Sequence, residues 1–333
     1  MNIKYSFIIP VYNRPQEIEE LLKSFTSMQA DVAYEIIIVE DGSTISSEEV
    51  VKKYSLKLPL VYFKKENSGP GDSRNYGMQR ANGSYFIILD SDVVMPSHYL
   101  VAVEKFLATN KVDCFGGPDA ADQSFSNIQK AINFTMTSVL TTGGIRGKEN
   151  AVKDYEPRSF NMGISKKAFL KVGGFGKIHP GEDPDLSIRI KNEAYQIGFI
   201  KDAYVYHKRR ISWQKFYIQV NKFGKVRPIL NSWHPQTASL VFWFPTVFSI
   251  GFIISILLLF LGFSYFLYLY LLYLLLIFVT SSIENKSLLI GVLSLRATLT
   301  QFFGYGFGFL KSSYYIRLRS KKPEKIFPEL FFN

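Results

Sequence analysis

Cysteine is nearly missing from this chain: Cys114 is the one thiol among 333 residues. That excludes an intramolecular disulfide framework and any metal site built on several thiolates. The polar make-up of disordered chains is lacking too, because 47 % of residues are apolar and 16 % aromatic. Acidic residues are in deficit, 28 against 39 Lys and Arg, which leaves a net charge of +11. The glycine-rich stretch at 69–77 is neither a Walker loop, since no Gly-Lys-Ser/Thr follows, nor a G-x-G-x-x-G turn.

The charge excess is local. Lys201 to Arg227 carries eight basic residues and one acid, and Lys311 to the end carries six and two; the remainder balances at 25 against 25. A nucleic-acid binder would spread a basic patch over its folded domain, so no nucleic-acid partner is expected. These basic runs instead flank the apolar stretch Ala238 to Leu310, the pattern of a cytoplasmic membrane flank. Met1 leads directly into the first apolar strand, so no amino-terminal signal is expected and the soluble part should face the cytoplasm.

Length suggests two units. Residues 1–210 read as an alternating α/β domain. Strands are expected at 5–9, ended by Pro10, and at 34–39, 60–63 and 84–89, with helices at 16–29, 47–54 and 73–82 between them. Such alternation implies a mostly parallel sheet with helices on both faces, and ligands then bind beyond the carboxyl ends of the strands. Residues 211–237 read as a basic, amphipathic juxtamembrane segment. Within 238–310, spans are expected at about 238–262 and 264–280. A third segment, 288–310, is expected to be interfacial or re-entrant, with a full span as the alternative, because Arg296, Thr298, Thr300 and Gln301 interrupt it. Residues 311–333 read as a basic cytoplasmic tail.

Three carboxylate clusters fall where a sheet of this kind binds ligands. Glu40-Asp41-Gly42-Ser43 can accept from a ribose hydroxyl or a base N–H, although the same pattern also makes turns and helix caps. Asp90-Ser91-Asp92 can share a hard cation completed by water and phosphates, or form a solvated turn. Glu182-Asp183-Pro184-Asp185 exceeds what a helix start needs, so one of them can serve as a general base. Between the first two clusters, a glycine-rich loop places Arg74 in the first turn of a helix, a combination suited to a diphosphate.

These residues resemble a known family. Pro10-Val11-Tyr12-Asn13, Val39-Glu40-Asp41-Gly42-Ser43, the Gly-x-Gly-x-x-Arg-Asn-x-Gly stretch at 69–77, Ala81 to Tyr85 and Leu89-Asp90-Ser91-Asp92 occur in the order seen in family 2 glycosyltransferases. Asn161-Met162-Gly163, Val172 to Phe175 and Glu182-Asp183-x-Asp-Leu continue it, so the resemblance covers about residues 3–210. It implies a Rossmann-like GT-A fold, a nucleotide-sugar donor, a divalent cation (Mn or Mg) and inversion at the anomeric carbon.

Carried over by position, Pro10, Tyr12, Asn13 and Asn161 would line the nucleotide-sugar site. Asp41 would hold the base, Arg74 would help bind the nucleotide and Asp90 would contact the ribose. Asp92 would ligate the metal, joined by His207, which alternatively is only a juxtamembrane histidine. Asp183 would deprotonate the acceptor. His98, His179 and His234 have no motif context and read as structural. Sugar selectivity would lie in 114–165, including Thr141 to Arg146.

Two departures matter. The first acidic pair is Glu-Asp where the family usually shows Asp-Asp. Gln219 to Phe223 resembles the Gln-x-x-Arg-Trp box of membrane synthases, with Lys222 for Arg and Phe223 for Trp. Lysine cannot reproduce a planar bidentate guanidinium. The expectation is therefore one UDP-sugar-dependent transfer to a membrane lipid-linked or glycan acceptor in surface polysaccharide or glycolipid synthesis. A processive membrane synthase and a non-catalytic nucleotide-binding scaffold are the alternatives.

Overall fold

The computed structural model describes residues 3–120, 125–143, 155–207 and 212–332. They open with β1 (Tyr5–Val11), α1 (Pro15–Phe25), β2 (Tyr34–Asp41), α2 (Glu48–Tyr54), β3 (Leu60–Lys65), α3 (Pro70–Arg80), β4 (Tyr85–Leu89) and β5 (Val93–Val94). Next come α4 (Tyr99–Thr109), β6 (Cys114–Gly116), β7 (Asp119–Ala120), α5 (Asn127–Thr137), α6 (Val139–Thr142), β8 (Asn161–Ser165), α7 (Lys166–Val172) and α8 (Glu182–Asn192). The chain closes with β9 (Ile197–Phe199), β10 (Val205–His207), α9 (Trp213–Trp233), α10 (Phe244–Phe260), α11 (Tyr265–Glu284), α12 (Leu288–Ser313) and α13 (Pro323–Ile326).

Two compact units result, and neither is continuous in sequence. One gathers 1–122, 152–209 and 331–333, and the other 123–151 and 210–330. α5 and α6 belong to the helical unit, and residues 331–333 to the sheet unit.

Among the described residues the sheet unit has a seven-stranded sheet in the order β3-β2-β1-β4-β8-β6-β9 and a small sheet β5-β10-β7. The β1–β2, β2–β3, β1–β4 and β6–β9 pairings are parallel, while β8 runs antiparallel to both β4 and β6. Both faces are buried. Phe7, Ile9, Ile36, Ile38 and Ile87 pack on one side, and Ile8, Ile37, Val39, Phe86 and Ile88 on the other. That is why these strands read as unbroken apolar runs instead of alternating ones.

Several expected boundaries move: α1 ends at Phe25 rather than near 29, and β3 runs on to Lys65. β1 continues through Pro10, where pairing with β4 has already ended at Ile8↔Ile88, so a residue lacking an N–H is tolerated. α3 begins at Pro70, not Ser73, because proline suits the first helical position.

In the helical unit α9 lies along α12. Gly224 permits this, since a Cβ there would stand 2.1 Å from the Tyr305 carbonyl oxygen, and Asn221 Nδ2 donates to Gly304 O at 2.9 Å. The segment expected as a membrane-synthase-like box thus packs as one side of a helix, with Val220 buried among Phe216, Ile132, Met136 and Ala297. Among the described residues three helical stretches are long and apolar enough to cross a membrane, at Leu240–Phe260, Tyr265–Glu284 and Leu288–Leu318. The third includes one continuous helix, Leu288–Ser313. Residues 311–332 carry further helical structure. Helical turns continue through Leu318, α13 follows, and Lys225 pairs with Glu329 at 2.9 Å.

Candidate active site

Parallel pairing brings the carboxyl ends of β1, β2, β3 and β4 to one edge of the sheet, and with them Tyr12, Asp41, Lys65 and Asp90. Antiparallel β8 enters at the same edge, with Asn161 opposite Leu89. The three acidic clusters expected to share a site do gather here.

Asp41 is buried and strongly held. Its Oδ1 accepts from Lys65 Nζ at 2.8 Å and Ser68 N at 3.0 Å, and its Oδ2 from Gly69 N at 3.0 Å. Three of its roughly four acceptor positions are filled, which leaves one on Oδ2 for a ligand. Glu40 has a different task. Its Oε2 accepts from Ser47 N at 2.7 Å and Tyr62 Oη at 3.0 Å, and Ser43 donates to Oε1. It therefore shapes the turn after β2. Asn13 shapes the same edge from a left-handed conformation (φ 56°), its Oδ1 accepting from Thr44 N at 2.8 Å and Ile45 N at 2.9 Å. Tyr12 stays exposed beside it, and Pro10 is partly buried at the end of β1.

Arg74 lies among carboxylates. Its guanidinium is buried and bound to Asp90 Oδ1 at 2.9 Å and Glu182 Oε1 at 3.1 Å, with the Phe175 ring 5.2 Å away. Burial opposes its charge, yet Asp90, Glu182 and Asp183 raise its pKa. Arg74 thus bridges the carboxylates of Asp90 and Glu182. Asn161 is bonded within the chain as well. It is fully buried, Tyr99 Oη donates to its Oδ1 at 2.6 Å and its Nδ2 donates to Ala203 O at 2.7 Å, so it braces the site from inside.

At the start of α8, Glu182 and Asp183 stand side by side with pKa values shifted in opposite directions. Burial works against the charge on Glu182, but His179 Nδ1 at 2.8 Å and Arg74 outweigh it and lower its pKa. Asp183 is pushed up to about 6, chiefly by burial and then by the Glu182 charge. Its Oδ1 is shut off from solvent with no hydrogen-bond partner. The pKa values of two neighbouring carboxylates are thereby driven apart.

Asp92 is ion-paired with Arg14, a residue that sequence reasoning overlooked. His207 pairs through its backbone with Val93, directly after Asp92, while its side chain lies outside the described residues. Among the described residues no group of three or more metal-ligating side chains forms a closed cage. Carboxylates two residues apart at a strand end still fit a hard cation, which needs only one or two of them when phosphates and water complete its shell. Of the segment expected to set sugar selectivity, residues 144–146 lie outside the described residues. Lys65 was also missed, and His179, expected to be structural, stands beside Glu182 as Lys65 does beside Asp41.

Residues 6–173 match the family model described as Glycosyl transferase family 2. The chain is 26 % identical over 219 residues to the succinoglycan biosynthesis protein ExoA of Rhizobium meliloti, covering 63 % of this chain and 66 % of that protein. It is 23 % identical over 235 residues to the chondroitin synthase of Escherichia coli, covering 61 % of this chain and 34 % of that protein. It therefore spans a third to two thirds of the length of these relatives. Among solved structures it resembles the mannosyltransferase PcManGT of Pyrobaculum calidifontis in complex with GDP-Man and Mn2+. That likeness has a TM-score of 0.60 at 16 % identity, over 97 % of this chain and 89 % of the other.

Proposed function

This chain belongs to glycosyl transferase family 2, and from that membership we propose that it transfers one sugar, with inversion, from a nucleotide-sugar donor to a hydroxyl of a membrane lipid-linked or glycan acceptor. The sheet unit has the GT-A fold. The observation that carries the reading is Asp183, an unpartnered carboxylate oxygen held near neutral pKa at the ligand-binding edge of the sheet.

In the proposed reaction the acceptor oxygen attacks the anomeric carbon from the face opposite the diphosphate. The bond from that carbon to the diphosphate oxygen breaks, the nucleoside diphosphate leaves with the electron pair, and Asp183 takes the acceptor proton. Asp41 offers its remaining acceptor position to the base, and Asp90, oriented by Arg74, faces the ribose. Asp92, joined by His207, would hold a Mn or Mg ion together with the donor phosphates, and a bound cation supplies neutralisation of charge on the leaving group. UDP is the favoured nucleotide.

We place the protein in the cytoplasmic membrane as a multi-pass protein with its sheet unit facing the cytoplasm. The basic flanks of the apolar helices support this, and would attract anionic headgroups at ~1 kcal/mol per Lys or Arg near the surface. Surface polysaccharide or glycolipid synthesis is the proposed setting. The test is transfer by detergent-purified protein with manganese across UDP-, GDP- and dTDP-sugars, with and without a membrane lipid extract. Lipid-dependent addition of a single sugar, lost in Asp183→Asn, is expected. Hydrolysis or transfer unaffected by Asp183→Asn overturns the assignment.

A further inference from the structure

The residues after α13 return to the sheet unit. Phe331 forms an antiparallel bridge with Ile178, and Phe332 N donates to Lys177 O at 3.1 Å. The Phe332 ring then covers Gly69 so closely that a Cβ on Gly69 would stand 2.3 Å from it. On its other side lies His179, with ring centroids 5.9 Å apart.

Both neighbours bear on the site. Gly69 donates its N–H to Asp41 Oδ2 at 3.0 Å, and His179 Nδ1 lies 2.8 Å from Glu182 Oε1. One aromatic ring thus touches the turn that holds the base-facing carboxylate and the histidine that holds the Glu182-Asp183 pair. Neither the Gly69 turn nor the 177–182 loop belongs to the interior of a strand or helix, so packing must hold them at their spacing.

We propose that Phe332 is a positioning residue for the donor site, a strap that fixes the Asp41 turn against the His179-Glu182 loop. The proposal rests on the donor-site reading above. It places a determinant of donor affinity after the apolar helices in sequence, well outside the stretch matched by the family model.

Phe332→Ala removes the ring while keeping the backbone bonds to 177–178. Its donor KM is expected to rise about three- to tenfold, with kcat within twofold of wild type. Phe332→Tyr, which keeps the ring, should restore the wild-type KM. Hydrogen exchange on the full chain supplies a readout that needs no donor: the Gly69 amide should exchange faster in Phe332→Ala while the amides of β1 do not change. If transfer itself fails in wild type, that exchange result still decides the strap. An unchanged Gly69 amide together with an unchanged KM would overturn the proposal. So would a lower KM or a raised kcat, which would make the ring a plug over the site.

Discussion

Arg74 and Glu182, 108 positions apart in sequence, meet as a buried ion pair at 3.1 Å. The second arm of the same guanidinium holds Asp90 at 2.9 Å. One cation therefore locks the ends of three elements, α3, β4 and α8, into a fixed arrangement of carboxylates. Removing it would leave Glu182 charged and buried with only His179 beside it, and breaking a buried pair costs far more than forming one contributes.

Arg74→Ala is accordingly expected to cost about 3–5 kcal/mol of stability. Arg74→Lys should recover little of this, since a point ammonium cannot reach two carboxylates in a planar fork. Thermal unfolding in detergent checks both variants. A melting temperature for the lysine variant equal to wild type would show that the fork is dispensable.

The Asp183 carboxyl yields a pH prediction. As a base it must be ionised, so kcat/KM should rise with pH through about 6 and then level off. Its stability effect has the opposite sense. Because its pKa is raised on folding, its ionisation destabilises the native state progressively from the unfolded carboxylate range up to about 6, and fully above it. Asp183→Asn should thus abolish transfer yet raise the melting temperature at pH 8, with a smaller gain at pH 5. A variant less stable than wild type at pH 8 would contradict this.

Much of the fold was legible because strands buried on both faces leave unbroken apolar runs such as Phe86 to Leu89, and their acidic ends mark one edge of the sheet. The position of the acidic residues Asp41, Asp90 and Asp92 at that edge was legible because each follows or ends such a run. What sequence could not show is which polar groups are spent on each other. Arg74, Asn13 and Asn161 sit in ligand-like motifs, yet their hydrogen bonds go to other residues of this chain, a fact set by contacts between distant positions. His179 and Lys65 were invisible for the converse reason, having no motif but a decisive neighbour. The course of 288–313 was hidden because polar residues on a helix paired with another helix look the same in sequence as a break.

Asn161 gives a test of that distinction. Its side chain satisfies Tyr99 Oη and Ala203 O in a fully buried place, so Asn161→Ala leaves two polar groups unpaired. A loss of about 1–3 kcal/mol in stability is expected. Donor KM, measured below the melting transition, should stay within about twofold of wild type, because the side chain does not face the ligand. A KM rise without a stability loss would return Asn161 to the ligand-binding set.

The Arg14–Asp92 ion pair makes the last prediction. Arg14 carries an exposed face, and although burial opposes its charge, Asp92 raises its pKa. A metal held by Asp92 must compete with that guanidinium for the same carboxylate, since two cations cannot share one oxygen without repulsion. Arg14→Ala should therefore lower the manganese concentration needed for half-maximal transfer several-fold. Raising ionic strength should narrow the gap between variant and wild type, because the pair is partly exposed and salt screens it. Asp92→Ala should instead lose metal-dependent donor binding while retaining its fold by circular dichroism. If Arg14→Ala weakens the manganese response, the arginine contacts the donor phosphates directly and the competition argument fails.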